Sequence, residues 1–324
     1  METDLQEVST IDMLKSYVES VEATDTMAEA GRKILLADFV TMLDNEKGSR
    51  TGKDIESVHD MRVATRRMRT TFNLLGAYYK SKPMRHYVES LRILARKLGE
   101  VRDLDVMIAN LQAYQEKLED EEDRTNLAKV ISKLDKQRSK ARKQLISHLD
   151  SKEYAQFVET YTSFLTKPGK AAKAVDEDEP VPFQVRHVVP VIVHEYLANV
   201  RAYDNVLEDA EIEILHALRI EFKQLRYLIE NFRDVLGNTA GDFIVEVKTM
   251  QDHLGRIQDI DVANEALESL ISDLKKSQRP VLEKYITAIS AEHPILVEAF
   301  PEVWARFNTR TVQQKLSNAL LMLR

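Results

Sequence analysis

Four side chains able to carry positive charge, His59, Arg62, Arg66 and Arg69, follow one another at intervals of three, four and three residues. On a helix turning 100° per residue they fall within an arc of about 80° and a length of roughly 15 Å. Val58, Met61, Ala64, Met68, Phe72 and Leu75 fall on the other side of the same helix, so the cationic row borders a core face. A lone Arg in such a place is read as an aliphatic stem lying on apolar surface with its head paired to a neighbouring acid. Four together repel one another, and no acidic residue interleaves on that face. An anion would offset that repulsion. Guanidinium forks match pairs of phosphate oxygens, and imidazole adds a further hydrogen bond.

The row occurs twice. Residues 215–236 align with 58–79 at an offset of 157, pairing His216 with His59, Arg219 with Arg62, Lys223 with Arg66 and Arg226 with Arg69. The second row runs beside Leu215, Leu218, Phe222, Leu225, Ile229 and Phe232. Residues 250–267 align with 94–111 at an offset of 156, with Leu98/Leu254, Gly99/Gly255, Asp103/Asp259, Asp105/Asp261 and Val106/Val262 identical. An internal repeat of this length predicts two related helical bundles.

Further cations sit beside the first row. Arg85, Arg92 and Arg96 fall within about 40° of one another on the helix expected over 84–98. Segment 58–102 holds 11 Lys/Arg against 3 Asp/Glu, whereas 215–258 holds 6 of each, so the first repeat is expected to bind an anion more strongly. On the helix expected over 121–149, Lys129, Lys133, Lys136, Lys140 and Lys143 share one face and read as a solvated row. Arg138 and Arg142 fall in the apolar sector and need a partner, either an acid of the core or a ligand.

Other chemistry fits poorly. A divalent metal beside His59 or His216 would be repelled by the neighbouring cations, so neither metal nor cofactor is expected. Asp103 and Asp259 follow a Gly and read as helix N-caps, with Asp105 and Asp261 in the first turn, rather than as catalytic carboxylates. No phosphate loop, GxGxxG, HExxH or nucleophile elbow occurs. The run EIEIL at 211–215 resembles the ExExK element of triphosphate-tunnel hydrolases only superficially, since Leu215 stands where a Lys is needed.

The elements that carry these residues read as helices nearly throughout: 25–46, 55–79, 84–98, 104–118, 121–149, 151–165, 184–201, 209–236, 240–254, 260–276, 280–291 and 296–323 with a break. The expected class is all-α. Only 9 Gly and 8 Pro in 324 residues encode few turns, and the absence of Cys excludes disulfides, thiolate metal sites and a cysteine nucleophile. Residues 166–184, with three prolines and an acidic run, read as a linker between a first bundle at 25–165 and a second at 185–324. Residues 1–24 fit either a mobile segment or an accessory helix. The net charge is −7, and neither a signal peptide pattern nor 18 uninterrupted apolar residues occurs, so a cytoplasmic protein making no membrane contact is expected.

The segments VHDMRVATRRMRTTF, LGEVRDLDV, LHALRIEFKQLRYLIENF and HLGRIQDIDV resemble the CHAD domain, the conserved histidine α-helical domain, over about residues 25–310. The resemblance implies paired, pseudo-symmetric helical bundles that bind inorganic polyphosphate in a basic channel. His59, Arg62, Arg66, Arg67, Arg69, His216, Arg219, Lys223 and Arg226 match the family's basic positions. Arg92, Arg96, Arg138 and Arg142 are added from helix geometry. Members of the family are often fused to, or encoded near, triphosphate-processing enzymes. This sequence contains no such catalytic domain, which suggests a non-enzymatic binding module, and the family implies an association with polyphosphate granules. The sequence departs from an idealised repeat where Asp252 and Gly241 stand opposite Arg96 and Arg85. Nucleic acid is the alternative anion. It fits less well, because the rows carry no interleaved exposed aromatics and the overall charge opposes long-range attraction.

Overall fold

A computed structural model describes residues 10–176, 180–208 and 210–323. Among these residues the fold is all-α, with two isolated bridges, Thr26 to Gln184 and Tyr79 to Ala172, in place of strands. The helices in chain order are α1 (Thr10–Lys15), α2 (Met27–Asp44), α3 (Glu46–Thr51), α4 (Ile55–Leu75), α5 (Ser81–Gln115), α6 (Glu121–Leu149) and α7 (Lys152–Leu165). They continue with α8 (Val185–Arg201), α9 (Ile212–Asn231), α10 (Arg233–Leu236), α11 (Asn238–Ile271), α12 (Arg279–Ser290), α13 (Glu292–Phe307) and α14 (Arg310–Leu320).

Local chemistry sets several starts. The Thr26 hydroxyl accepts from the Glu29 N–H at 3.1 Å, the Asp54 carboxylate from the Glu56 N–H at 2.9 Å, and Ser151 from the Tyr154 N–H at 3.2 Å. Each cap satisfies a donor that the first helical turn leaves without an intrahelical partner.

Two expected breaks do not occur. Segments 84–98 and 104–118 form the single helix α5, and 240–254 and 260–276 merge into α11. Asp103 and Asp259 therefore lie in helix interiors and cap nothing. The reason is the phase of the apolar residues. Leu91, Leu94, Leu98, Val101, Asp105, Ile108 and Leu111 are all buried, at steps of three or four, straight through Gly99. In α11 the series Phe243, Val247, Met250, Leu254, Ile257 and Ile260 runs likewise past Gly255. A mid-helix Gly costs about 1 kcal/mol against Ala, too little to end a helix buried along its length. The reverse holds at 209–236, where the helix starts at Ile212 and is interrupted at Phe232.

The chain forms two compact units. The first takes the described residues up to 102 together with 141–189, and the second takes 103–140 and 190–323. The sequence repeat divides the chain linearly at 166–184, whereas the compact units assign segment 103–140 to the second. The first unit is built on an aromatic cluster. Tyr161 lies 4.9 Å from both Phe39 and Tyr87, ring centre to ring centre, and 5.2 Å from Phe157. In the second unit Phe222, Phe243 and Trp304 surround Phe307, while Ile108, Leu111, Leu127, Val130, Leu267 and Leu282 belong to a separate apolar cluster.

Residues 166–184, read as a linker, are tied to the first unit where they are described. Lys80 N–H donates to the Ala171 carbonyl at 2.8 Å, Lys173 N–H to Tyr78 at 2.9 Å, and Met27 N–H to Phe183 at 3.1 Å. Within 1–24, α1 seats Leu14 in the interior with no exposure, and residues 1–9 lie outside the described residues.

Candidate functional site

In the first unit, α4 carries its cations as the residue spacing dictates. Val58, Met61, Ala64, Met68 and Phe72 are buried, and His59, Arg62, Arg66, Arg67 and Arg69 are all half-buried along the margin of that core. The Arg62 guanidinium passes over Gly99 of α5, so that a Cβ added there would meet its Nε at 3.9 Å. Arg69 faces Arg92 of α5. Burial first, and the Arg92 charge second, hold the Arg69 guanidinium below its ordinary pKa. Among the described residues Arg69 and Arg96 make no hydrogen bond or ion pair, and Arg92 reaches only Glu89, at 3.5 Å with both groups 59% exposed. An ion pair that open contributes little. The charge of Arg69, Arg92 and Arg96 is therefore weakly compensated among the described residues.

Two of the predicted residues of this unit have structural partners. Arg67 leaves the row and pairs with Asp38 of α2 at 3.1 Å, where Asp38 is only 9% exposed. Arg142 of α6 lies against Gly52, which ends α3 at φ +63°, and Arg142 Nη1 donates to the Gly52 carbonyl at 3.4 Å. Its Nε and Nη2 are buried without a hydrogen-bond partner. Glycine is required at position 52 for its dihedral angle, and a Cβ there would also displace this guanidinium.

His59 meets a residue that the sequence reading passed over. Burial and then the charge of Arg102 lower its pKa, Arg66 adds to the effect, and Glu56 and Asp60 oppose it. Arg102 itself donates to Glu56 at 3.3 Å and to the Ile55 carbonyl at 3.4 Å. Its signal lay in the motif LGEVRDLDV, one helical turn beyond Gly99, on a helix that the expected break at 99–103 had cut in two.

In the second unit, α9 and α11 place the aligned residues in similar positions with different company. The Arg219 Nε lies 3.5 Å from where a Cβ on Gly255 would be, so the Arg-over-Gly contact recurs. Arg219 Nη1 donates to Gln258 at 2.7 Å, and Gln258 aligns with Arg102. His216 Nε2 lies 3.2 Å from Asp261, and Arg226 pairs with Glu230 at 3.5 Å while lying over the Tyr227 ring. Lys223 is half-buried on the same helix. Arg138 is taken by acids, Asp105 at 3.1 Å and Asp135 one turn earlier, and Asp105 is 2% exposed. Of the lysine row, Lys129, Lys136, Lys140 and Lys143 are exposed, and Lys133 donates to the Asp273 carbonyl at 2.8 Å.

An all-α protein with repeat-related cationic rows, each bordering its own core, is the class that fold and site define. The chain belongs to the CHAD domain family, whose model matches residues 33–268. The crystal structure of the CHAD domain from the plant Ricinus communis is similar at a TM-score of 0.72 and 21% identity, covering 88% of this chain and 94% of that one. PptA from Streptomyces chartreusis is similar at a TM-score of 0.59 and 14% identity, covering 86% of this chain and 99% of that one. At those identities the likeness shows the fold. A comparison with curated proteins finds no match. Family membership supports a polyphosphate-related role. Among the described residues no helix is long and apolar enough to cross a membrane.

Proposed function

We propose that this protein binds inorganic polyphosphate without chemically altering it, using the α4 row as its principal contact and the α9 row as a weaker one. The observation that carries the reading is Arg69 beside Arg92, like charges whose only acid partner among the described residues is the open Arg92–Glu89 contact, with Arg96 one turn along α5 from Arg92. A chain of phosphates supplies regularly spaced negative oxygens to such a row and needs no groove or base readout. His59, Arg62 and Arg66 extend the same face of α4, and Arg142 carries two buried N–H groups without a hydrogen-bond partner among the described residues. Arg67 and Arg138 contribute through their ion pairs with Asp38 and Asp105, which hold the helices that carry the row's other members.

Replacing Arg62, Arg66 and Arg69 together by Glu is expected to weaken polyphosphate binding by on the order of 1,000-fold, since charged hydrogen bonds contribute about 1.5–3 kcal/mol each. Helicity by circular dichroism should be retained. Affinity unchanged in that variant refutes the assignment. RNA added at equal phosphate concentration should not displace polyphosphate, and no phosphate should be released when the protein is incubated with polyphosphate and magnesium.

A further inference from the structure

Asp261 of α11 is shared by two imidazoles. Its Oδ2 lies 3.2 Å from His216 Nε2 of α9, and its Oδ1 lies 3.3 Å from His293 Nε2 of α13. All three side chains are about a third exposed, at 29%, 34% and 28%, so solvent and solutes reach them. His293 lies beyond the stretch 33–268 that the family model matches, and the internal repeat supplies no partner for it. Asp261 is hydrogen-bonded to His216 and within ion-pair distance of His293, and among the described residues no group of three or more such side chains is arranged to hold a metal ion.

We infer that His293 is part of the second unit's anion site, and that the His216–Asp261–His293 trio makes this half of the site proton-dependent. The inference rests on the polyphosphate reading above. With both imidazoles neutral the trio carries the Asp261 charge, −1, and repels phosphate. With both protonated it carries +1 and attracts it. Imidazole is the side chain whose ordinary titration falls between about pH 5 and 8.

Charges of both signs surround the trio, with Glu213 one turn before His216 on α9 and Glu265 one turn beyond Asp261 on α11. On α9, Arg219 is held by Gln258 one turn from His216, and Lys223 follows at the next turn. On α11, Asp259 precedes the shared acid by two residues. Arg256 of α11 is closed onto Glu292 of α13, with Oε2 at 2.5 Å from Nη2, and that pair is neutral. Tyr285 of α12 remains uncharged across this range, since burial raises its pKa. The acid Glu246, paired with Lys315 of α14 and Arg306, lies 15 residues up α11, roughly 22 Å along the helix axis. The first unit contrasts with this. His59 is held toward its neutral form by burial and Arg102, so acidification adds little to the α4 row.

The test is calorimetric titration of the full chain with linear inorganic polyphosphate at fixed ionic strength between pH 5.5 and 8, in two buffers of different ionisation enthalpy so that bound protons are counted. Wild-type protein should bind on the order of tenfold more tightly at pH 6 than at pH 8, a coupling of ordinary size, and should take up protons on binding near pH 7. His293→Gln keeps a donor for Asp261 and should lose about half of that proton uptake. Asp261→Asn should bind more tightly than wild type at pH 8 and show a flatter pH profile. Polyphosphate binding that is independent of pH, or proton uptake unchanged in both variants, overturns the inference and leaves the polyphosphate reading standing. Absence of wild-type binding at every pH overturns both.

Discussion

The α4 row and the α9 row begin from almost the same residues and end with different electrostatics. Arg69 and Arg226 align, yet four residues on stands Asn73 in one and Glu230 in the other, so that Arg226 has an acid one turn further along its helix and Arg69 does not. Arg102 and Gln258 align, and one presses a positive charge toward His59 where the other accepts a hydrogen bond from Arg219. Asp105 and Asp261 are both Asp, yet the first serves Arg138 and the second serves His216. The internal pairing of each row is thus set by residues one helical turn from the motif as well as by the motif itself. Two copies can hold the same row of cations while Arg69 in one lacks the acid that Arg226 in the other has.

That contrast can be broken most sharply by charge reversal. Set beside the α4 triple variant, Arg219, Lys223 and Arg226 replaced together by Glu should cost polyphosphate affinity only about 30-fold, because Gln258 and Glu230 already satisfy part of that row. Equal losses from the two triple variants, measured at one salt concentration, would erase the distinction between the halves. The contrast should also be transferable by exchange of single residues. Asn73→Glu places an acid at the first row and should weaken binding about tenfold, while Glu230→Asn releases Arg226 and should tighten it about threefold.

A pH dependence of stability separates the halves in a second way. His59 is depressed by burial and Arg102, and His148 by burial and Lys97, both in the first unit. For a base whose folded pKa lies below its unfolded one, the unfolded chain binds more protons. Its contribution to stability is therefore present above the unfolded value of about 6.5 and is lost as pH falls from there through the lower folded value. Urea midpoints should fall from pH 7 to pH 5. His59→Gln should reduce that slope, and a slope unaltered in His59→Gln with His148→Gln would place the acid-labile groups elsewhere.

Much of this was legible in the residues. The 3.6-residue period gave α4, α6 and α9 and the side of each that is buried, because one stripe of each helix is mostly apolar and the charges lie on its flank. The cationic rows followed from the same spacing. What the sequence concealed is pairwise. Nothing local to Arg67 announces Asp38, which lies two helices away, and the acids that take Arg138 are found only once α5 and α6 are placed. Gly99 and Gly255 read as helix ends because glycine usually marks them, whereas the unbroken apolar phase on both sides carried the helices through. His293 was unreadable as a site residue, since its relation to Asp261 spans α11 to α13.

Those two glycines give the gentlest test of whether the halves share their geometry. A methyl group at 99 would meet the Arg62 Nε at 3.9 Å, and at 255 the Arg219 Nε at 3.5 Å, both ordinary contact distances. Replacing a helix-interior Gly by Ala is ordinarily favourable by about 1 kcal/mol. Gly99→Ala should therefore raise the thermal midpoint by a few degrees with little change in polyphosphate affinity, and Gly255→Ala should raise it slightly less, because its contact is the closer. If instead either Ala variant is destabilised, or loses affinity as an Arg62 variant would, the guanidinium lies nearer to the helix backbone than these distances place it, and the glycine is there to admit the arginine.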